Sequence, residues 1–262
     1  MPAPRLSLVV PSFDEENRIR PSLERIGSFL ASLDFPSEVV VVDDGSREPG
    51  MRANEEALAS LPQGIQGRLI KHGTNRGKGA AVRTGCLAAT GEYVAFIDAD
   101  LATPPEDLLA LLKELDAGAE VAIGVRRQED GSDMRARRSL PRRLLGQLFA
   151  LAMRTVLLPE MSDSQCPLKA FRRPAAQRLF RLQRVDTWSF DAEILYLARR
   201  LGLKVATAPV HWHAVEGSHL KLNLRRAIEL WNLLRIRFAH RSVTPRTLSE
   251  LSAVSYQQSA SE

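Results

Sequence analysis

The sequence predicts an α/β fold with a mostly parallel sheet and helices on both of its faces. In the first 125 residues, short and continuous apolar runs alternate with segments of helical periodicity. Continuous apolar runs are typical of parallel strands because both faces of such strands are buried. The predicted strands are Leu6–Val10, Glu38–Ser46, Gly67–His72, Tyr93–Asp98 and Glu120–Val125.

Helices are predicted between these strands over residues 15–33, 77–89 and 105–115. In such folds, ligands bind beyond the carboxyl ends of the parallel strands. Three acidic segments, PSFDEE, VDDGS and DAD, each follow a predicted strand. The sequence therefore predicts one acidic binding edge.

The second half of the chain is less regular. It suggests a short strand in CPLKAF, an edge strand over residues 204–215, and helices starting near Ser139, Pro174, Trp188 and Leu224. We interpret residues 1–243 as one domain with two parts, residues 5–125 and residues 126–243. Residues 244–262 are expected to form a flexible tail.

Composition narrows the classes of protein. The chain has 262 residues, of which 44% are hydrophobic and 26% charged, as in ordinary globular proteins. Its net charge of +5 favours an anionic partner, and nucleic acid ranks below a phosphorylated ligand or an acidic membrane because RNA-reading aromatic patterns are missing. Two cysteines make no disulfide framework, and no apolar run suits a signal peptide or a transmembrane helix.

Asp98 and Asp100 end the fourth predicted strand as two like charges separated by one residue. In a strand, such residues point to the same face. Mg²⁺ and Mn²⁺ prefer oxygen ligands and usually take one or two carboxylates together with substrate phosphates. A turn or helix cap is the alternative, but the two neighbouring acidic segments favour a metal site.

A basic segment, HGTNRGKGAAVRTG, precedes the helix predicted from residue 77. It matches neither the P-loop nor the dinucleotide fingerprint, so we reject a dinucleotide-dependent dehydrogenase. Backbone N–H groups at a helix start, with Arg76 and Lys78, can still bind a phosphate.

These segments, in this order, resemble family 2 glycosyltransferases, whose GT-A fold is Rossmann-like. Later segments, DSQCPLKAF, WSFDAEILYLARR and VHWHAVEGSHLKL, are similar to the dolichyl-phosphate β-glucosyltransferase branch of polyprenyl-phosphate glycosyltransferases. The resemblance covers roughly residues 5 to 240. The expected fold is GT-A with a C-terminal amphipathic helical extension. The resemblance implies that residues 5–125 bind the nucleotide sugar and that residues 126–243 bind the acceptor and the membrane interface.

The resemblance implies a metal-dependent, inverting hexosyltransferase that uses Mg²⁺ or Mn²⁺. Glucose would pass from UDP-glucose, with GDP-mannose as the rival donor, to a polyprenyl or dolichyl phosphate, giving a β-linked product. Direct in-line attack on an α-linked donor accounts for the inversion.

Donor-binding residues follow from the resemblance and from the basic segment. They are Pro11, Phe13, Glu15, Val42, Asp44, Arg76, Lys78, Asp98, Ala99 and Arg126, with Asp98 and Asp100 at the metal. The family usually has tyrosine at position 13, a glutamine ligand at position 102, and Gly-Phe at positions 167 and 168. This chain has Phe13, Ala102 and Pro167-Leu168 instead.

Asp163 is the candidate base or acceptor-orienting carboxylate, with an ordinary loop turn as the alternative, and Asp100 is grouped with it as catalytic. Contacts with the acceptor or the membrane are assigned to Arg135, Arg137, Arg138, Lys169, Trp188, Glu216 and His219.

Two arginine-rich amphipathic segments, residues 139–159 and 224–239, suggest helices that lie in a membrane interface. The alternative is that these helices pack in the core or at a dimer interface, and a homodimer is therefore possible. We expect peripheral attachment to the cytoplasmic face of a membrane. His211 and His213 fit an edge strand better than half of a metal site.

Two other functions compete with lipid glucosylation. The same fold could use a soluble or glycan hydroxyl acceptor, for which a true base is essential. A regulatory module would bind UDP with a metal and consume no sugar, and the intact DAD segment disfavours it.

Overall fold

A computed structural model describes residues 3–126, 166–213 and 225–245 of the chain. Within these ranges, seven strands form one sheet in the order β3-β2-β1-β4-β6-β5-β7. The strands are β1 (Leu6–Ser12), β2 (Ser37–Asp43), β3 (Gln66–Lys71), β4 (Tyr93–Phe96), β5 (Val121–Val125), β6 (Lys169–Arg172) and β7 (Val205–Pro209).

Helices cover both faces of this sheet. They are α1 (Ile19–Ala31), α2 (Glu48–Ala59), α3 (Lys78–Ala88), α4 (Leu108–Asp116), α5 (Arg173–Leu182), α6 (Phe190–Arg200) and α7 (Arg225–Ala239). A short 3₁₀ turn, Pro105–Asp107, leads into α4. No helix of the described ranges is long and apolar enough to cross a membrane.

The predicted mostly parallel sheet is confirmed, with one exception. The strand β6 lies between β4 and β5 and is antiparallel to both, with Lys169 opposite Phe96 and Ile123. The edge strand β7 ends at Pro209, so the expectation that His211 and His213 belong to it is wrong. Asp107 holds His211 instead, through the His211 backbone N–H and ring.

The helix α2 was not predicted. Its buried positions are Gly50, Asn54 and Ala57, which are too small or too polar to produce an apolar stripe. Pro49 in the first turn was the available start signal.

Two apolar layers, one on each side of the sheet, fix the helices. Alternate residues of β1 point into opposite layers: Val9 packs under α3, and Leu8 and Val10 pack under α1. Gly85 lets α3 lie close to the sheet, because a Cβ atom there would stand 2.3 Å from Val9 Cγ1. This close packing places the first residue of α3, Lys78, beside the carboxyl ends of β1 and β4.

The buried carboxylate of Glu38 in β2 links β1, β2 and β3, away from their carboxyl ends, with the connection that precedes β4. Glu38 accepts hydrogen bonds from Ser7 Oγ (2.5 Å), from the Thr90 N–H and hydroxyl (both 2.8 Å) and from Arg68 Nε (3.0 Å). Burial alone would raise the pKa of Glu38, but these hydrogen bonds and the Arg68 charge outweigh it and hold the pKa below its ordinary value.

Replacing Glu38 with glutamine should therefore destabilise the protein by about 2 kcal/mol at neutral pH, because the charged acceptor is lost. A lowered pKa stabilises the fold above the unfolded-state pKa of about 4.3, and this stabilisation disappears as the pH falls through the folded-state pKa. Urea unfolding of the wild type and Glu38→Gln at decreasing pH should show the difference shrinking in the acid range.

The control is Glu55→Gln, because Glu55 makes an exposed ion pair with Lys71. Exposed pairs contribute little, so this variant should unfold close to the wild type. Equal stability of Glu38→Gln and Glu55→Gln would contradict the assigned role of Glu38.

Candidate functional site

The acidic doublet lies in a tight turn after β4. The Leu101 N–H donates to Asp98 O (3.1 Å), and the Ala102 N–H donates to the Asp100 side chain (3.0 Å). Leu101 takes a left-handed conformation, with φ at 47°. The prediction that Asp98 and Asp100 share one face of a strand is therefore wrong. The strand β4 ends at Phe96, and the turn after it positions both carboxylates.

Lys78 is the cation that compensates this doublet. Its Nζ lies 2.6 Å from Oδ1 and 2.8 Å from Oδ2 of Asp98. Burial opposes the ammonium charge, yet Asp98, Asp191 and Asp100 together raise the pKa of Lys78 above its ordinary value. The basic segment and the acidic turn are thus one electrostatic unit.

Glu15, after β1, lies in the same negative field. Burial raises the pKa of Glu15, the Arg18 charge opposes this, and the Asp100 and Asp98 charges raise the pKa further. Ser22 of α1 donates to the carbonyl of Ala99 (2.6 Å) and so ties the acidic turn to the helix that follows β1. Both segments therefore meet at one edge, as predicted.

Asp44 organises the basic segment. Its Oδ1 accepts from the Arg76 N–H (3.0 Å) and contacts His72 Nδ1 (2.7 Å), and its Oδ2 accepts from the Gly77 N–H (2.7 Å). The Asp44 side chain is buried, and Val42 beside it lies fully in the core. Contacts of these two residues with base and ribose stay predictions.

Other predicted donor residues differ in exposure. Phe13 and Arg76 are exposed and Pro11 is half-buried, whereas Arg126 is buried and has its guanidinium 5.6 Å from the Trp212 ring centroid. An exposed aromatic ring at position 13 is available for stacking on a base.

A second ion pair, Lys169–Asp191, escaped the sequence analysis. Lys169 Nζ lies 2.5 Å from Asp191 Oδ1 and 2.7 Å from the Cys166 carbonyl, and the lysine is fully buried. Lys169 was expected to contact the acceptor or the membrane, but the structure places it beneath the surface as the partner of Asp191. Two acidic residues, Asp191 and Glu193, in the buried first turn of α6 were the available signal.

Trp188 and Lys78 are in contact. The ammonium lies 4.6 Å from the centroid of the Trp188 ring, which is 54% exposed. Six further predicted residues lie outside the described ranges, as does the first amphipathic segment. They are Asp163, Arg135, Arg137, Arg138, Glu216 and His219.

The residues present fit a divalent ion that is shared with a substrate. In residues 3–126, 166–213 and 225–245, no three His, Cys, Asp or Glu side chains form a metal-binding group. Two neighbouring carboxylates, of which Asp98 already holds an ammonium cation, match the ligand set of Mg²⁺ or Mn²⁺ when phosphate oxygens complete the coordination. Ala102 adds no ligand at the position where glutamine was expected.

Comparison with known proteins places this site in a family. A family model described as "Glycosyl transferase family 2" matches residues 7–180. A dolichyl-phosphate beta-glucosyltransferase of Dictyostelium discoideum is 32% identical over 246 residues, which cover 90% of this chain and 74% of that protein. The protein of the same name from Drosophila melanogaster is 36% identical over 242 residues, covering 84% of this chain and 70% of that protein.

Among solved structures, a glucosyl-3-phosphoglycerate synthase from Mycobacterium tuberculosis is similar in fold. Its complex with Mn²⁺, UDP and glucosyl-3-phosphoglycerate gives a TM-score of 0.62 at 18% identity, over 92% of this chain and 81% of that one. This likeness confirms the predicted GT-A fold. Because the family model spans more than half of the chain and the relatives are similar over most of their length, this chain belongs to glycosyl transferase family 2.

Proposed function

We propose that the protein transfers glucose from UDP-glucose to a polyprenyl phosphate of the dolichyl type and forms a β-linked lipid-phosphate sugar. The observation that carries this proposal is the acidic turn with its lysine counter-ion, Asp98–Lys78, at the edge where β1 and β4 end. The names of the relatives support the sugar and the acceptor.

The site suits a reaction in which the leaving group is an anion. A bound Mg²⁺ or Mn²⁺ would be held by Asp98 and Asp100 and would neutralise charge on the departing nucleoside diphosphate. Lys78 supplies a fixed positive charge at the same place, and a preorganised charge costs no rearrangement during the reaction. The solved neighbour crystallised with Mn²⁺ and UDP supports this choice of cofactor.

The acceptor explains why an evident base is not essential. A phosphate monoester is already ionised at neutral pH, so its oxygen can attack the anomeric carbon without losing a proton. That phosphate approaches an edge carrying Glu15, Asp98 and Asp100, and it would be repelled there without cations. Activity should therefore depend strictly on a divalent metal. The base role of Asp163, the cytoplasmic membrane face and a homodimer stay predictions.

The direct test is incubation of the full chain with radiolabelled UDP-glucose, Mg²⁺ and a polyprenyl phosphate. We expect label to enter the butanol-extractable lipid fraction, and EDTA should abolish this transfer. Parallel reactions contain GDP-mannose, or a glycan acceptor in place of the lipid.

If label reached the lipid only from GDP-mannose, the proposed donor would be wrong and the proposed lipid acceptor would stand. Label found only in a glycan would refute the lipid acceptor. Metal-dependent UDP binding without any sugar consumption would indicate a regulatory binding module instead of an enzyme.

Replacing Asp98 with asparagine should lower transfer by about 10²–10³-fold, because one anionic ligand of the metal and the anchor of Lys78 are lost together. The concentration of Mn²⁺ that gives half-maximal activity should rise as well. Titration of initial rates against Mn²⁺ measures both effects.

The matched control is Glu106→Gln, eight residues further along the chain, because Glu106 is an exposed partner of Arg25 outside the site. Its rates and metal dependence should equal those of the wild type. If Asp98→Asn shows the same metal titration as Glu106→Gln, Asp98 is not a metal ligand.

A further inference from the structure

The helix α7 has one buried and one exposed apolar face. Leu233 and Ile236 pack into the core, together with Asn232. On the other side, Trp231, Leu234 and Phe238 are 62%, 41% and 65% exposed. With 3.6 residues per turn, these three positions form a single stripe opposite the buried face. Two exposed aromatic rings and a leucine in one stripe mark an interaction surface.

Positive charge borders this stripe. Arg235 and Arg237 are exposed on either side of it, and Arg241 is exposed just beyond the helix. Apolar side chains flanked by arginines are typical of helices that lie on anionic lipid, because the headgroups attract the basic residues. The charge pattern thus favours a lipid surface over a second apolar protein surface.

Residues 183–189 connect α7 to the candidate site. Asn232 Nδ2 donates to Thr187 Oγ1 (3.2 Å). The buried Glu193 carboxylate accepts from the backbone N–H groups of residues 184 and 185 (2.9 and 2.8 Å) and lies 2.6 Å from Nε2 of His240, just after α7. The segment therefore contacts α7 directly through Thr187 and is linked through Glu193 to the residue that follows the helix.

The same segment contacts the start of α3. The Gly79 N–H donates to the Asp186 carbonyl (2.8 Å), and Gln183 Nε2 donates to the Gly79 carbonyl (2.9 Å). Trp188, in this segment, exposes its ring while covering Lys78. An exposed aromatic residue, one position after the Thr187 that contacts α7, thus touches the cation of the donor site.

We propose that Trp188, Trp231, Leu234 and Phe238 form one docking surface that enters the interfacial layer of an anionic phospholipid bilayer. Docking would hold the Lys78–Asp98 edge at the level of the headgroups. This inference rests on the proposed function, because docking at this depth would let the phosphate of a lipid acceptor reach Lys78 while its chain stays in the membrane.

The first test is sedimentation of the full chain with phosphatidylcholine vesicles that contain or lack phosphatidylserine. Wild type should sediment with the anionic vesicles, and salt should weaken the binding. The double variant Trp231→Ser/Phe238→Ser should bind at least about tenfold more weakly, because two apolar side chains no longer leave water. The control Leu109→Ser removes an apolar residue on α4 that is 49% exposed, and this variant should bind like the wild type.

A second measurement locates the surface. The chain has three tryptophans, so forms that retain only Trp188 or only Trp231 can be made by changing the others to phenylalanine. Brominated phosphatidylcholine in anionic vesicles should quench both residues. Quenching of Trp231 without quenching of Trp188 would overturn the continuity of the surface.

A third measurement separates this inference from the proposed function. With a short, water-soluble polyprenyl phosphate, the double variant should keep wild-type turnover, and with a vesicle-embedded acceptor it should lose at least about tenfold in rate. If the wild type transferred sugar to neither acceptor, the proposed function would be refuted. The vesicle-binding experiment would still test the docking surface, because it does not depend on activity. Equal vesicle binding by the double variant, or a dimer in light scattering that binds no vesicles, would overturn the proposal.

Discussion

The ion pair between Lys78 and Asp98 is the constraint on which the rest of the site depends. Parallel strands bring several acidic segments to one edge, where their carboxylates repel each other. One lysine at the start of α3 compensates them, and its place is fixed by the close packing of Gly85 on β1. The same core packing that stabilises the fold therefore determines the charge distribution that a nucleotide sugar would meet.

Much of this arrangement could be predicted from the sequence, because its signals are local. Apolar runs gave the parallel strands, and DAD with the basic segment gave the donor edge. What was missed depends on contacts between distant segments: β6 enters between β4 and β5, and Lys169 meets Asp191 across 22 residues. The helix α2 was missed for a different reason, since glycine, asparagine and alanine form its buried face.

Some of the predicted donor residues also have partners within the chain that the sequence analysis did not identify. Lys78 was expected to bind phosphate, and here it holds Asp98. Contact of Asp44 with base or ribose stays a prediction, and in the structure its oxygens accept from the backbone N–H groups of the basic segment. In both cases residue type and location were predictable, whereas the partner depends on how turns are shaped by left-handed residues such as Leu101 and Gly77.

The antiparallel strand β6 decides how the chain can be divided. Because β6 pairs with β4 on one side and with β5 on the other, it closes a gap within the sheet that the first 125 residues leave open. A fragment ending there would leave one edge of β4 unpaired and β5, which also pairs with β7, without any partner strand. Unpaired strand edges are templates for aggregation. The two regions predicted to bind the nucleotide sugar and the acceptor thus share one sheet, so neither should fold as a separate module.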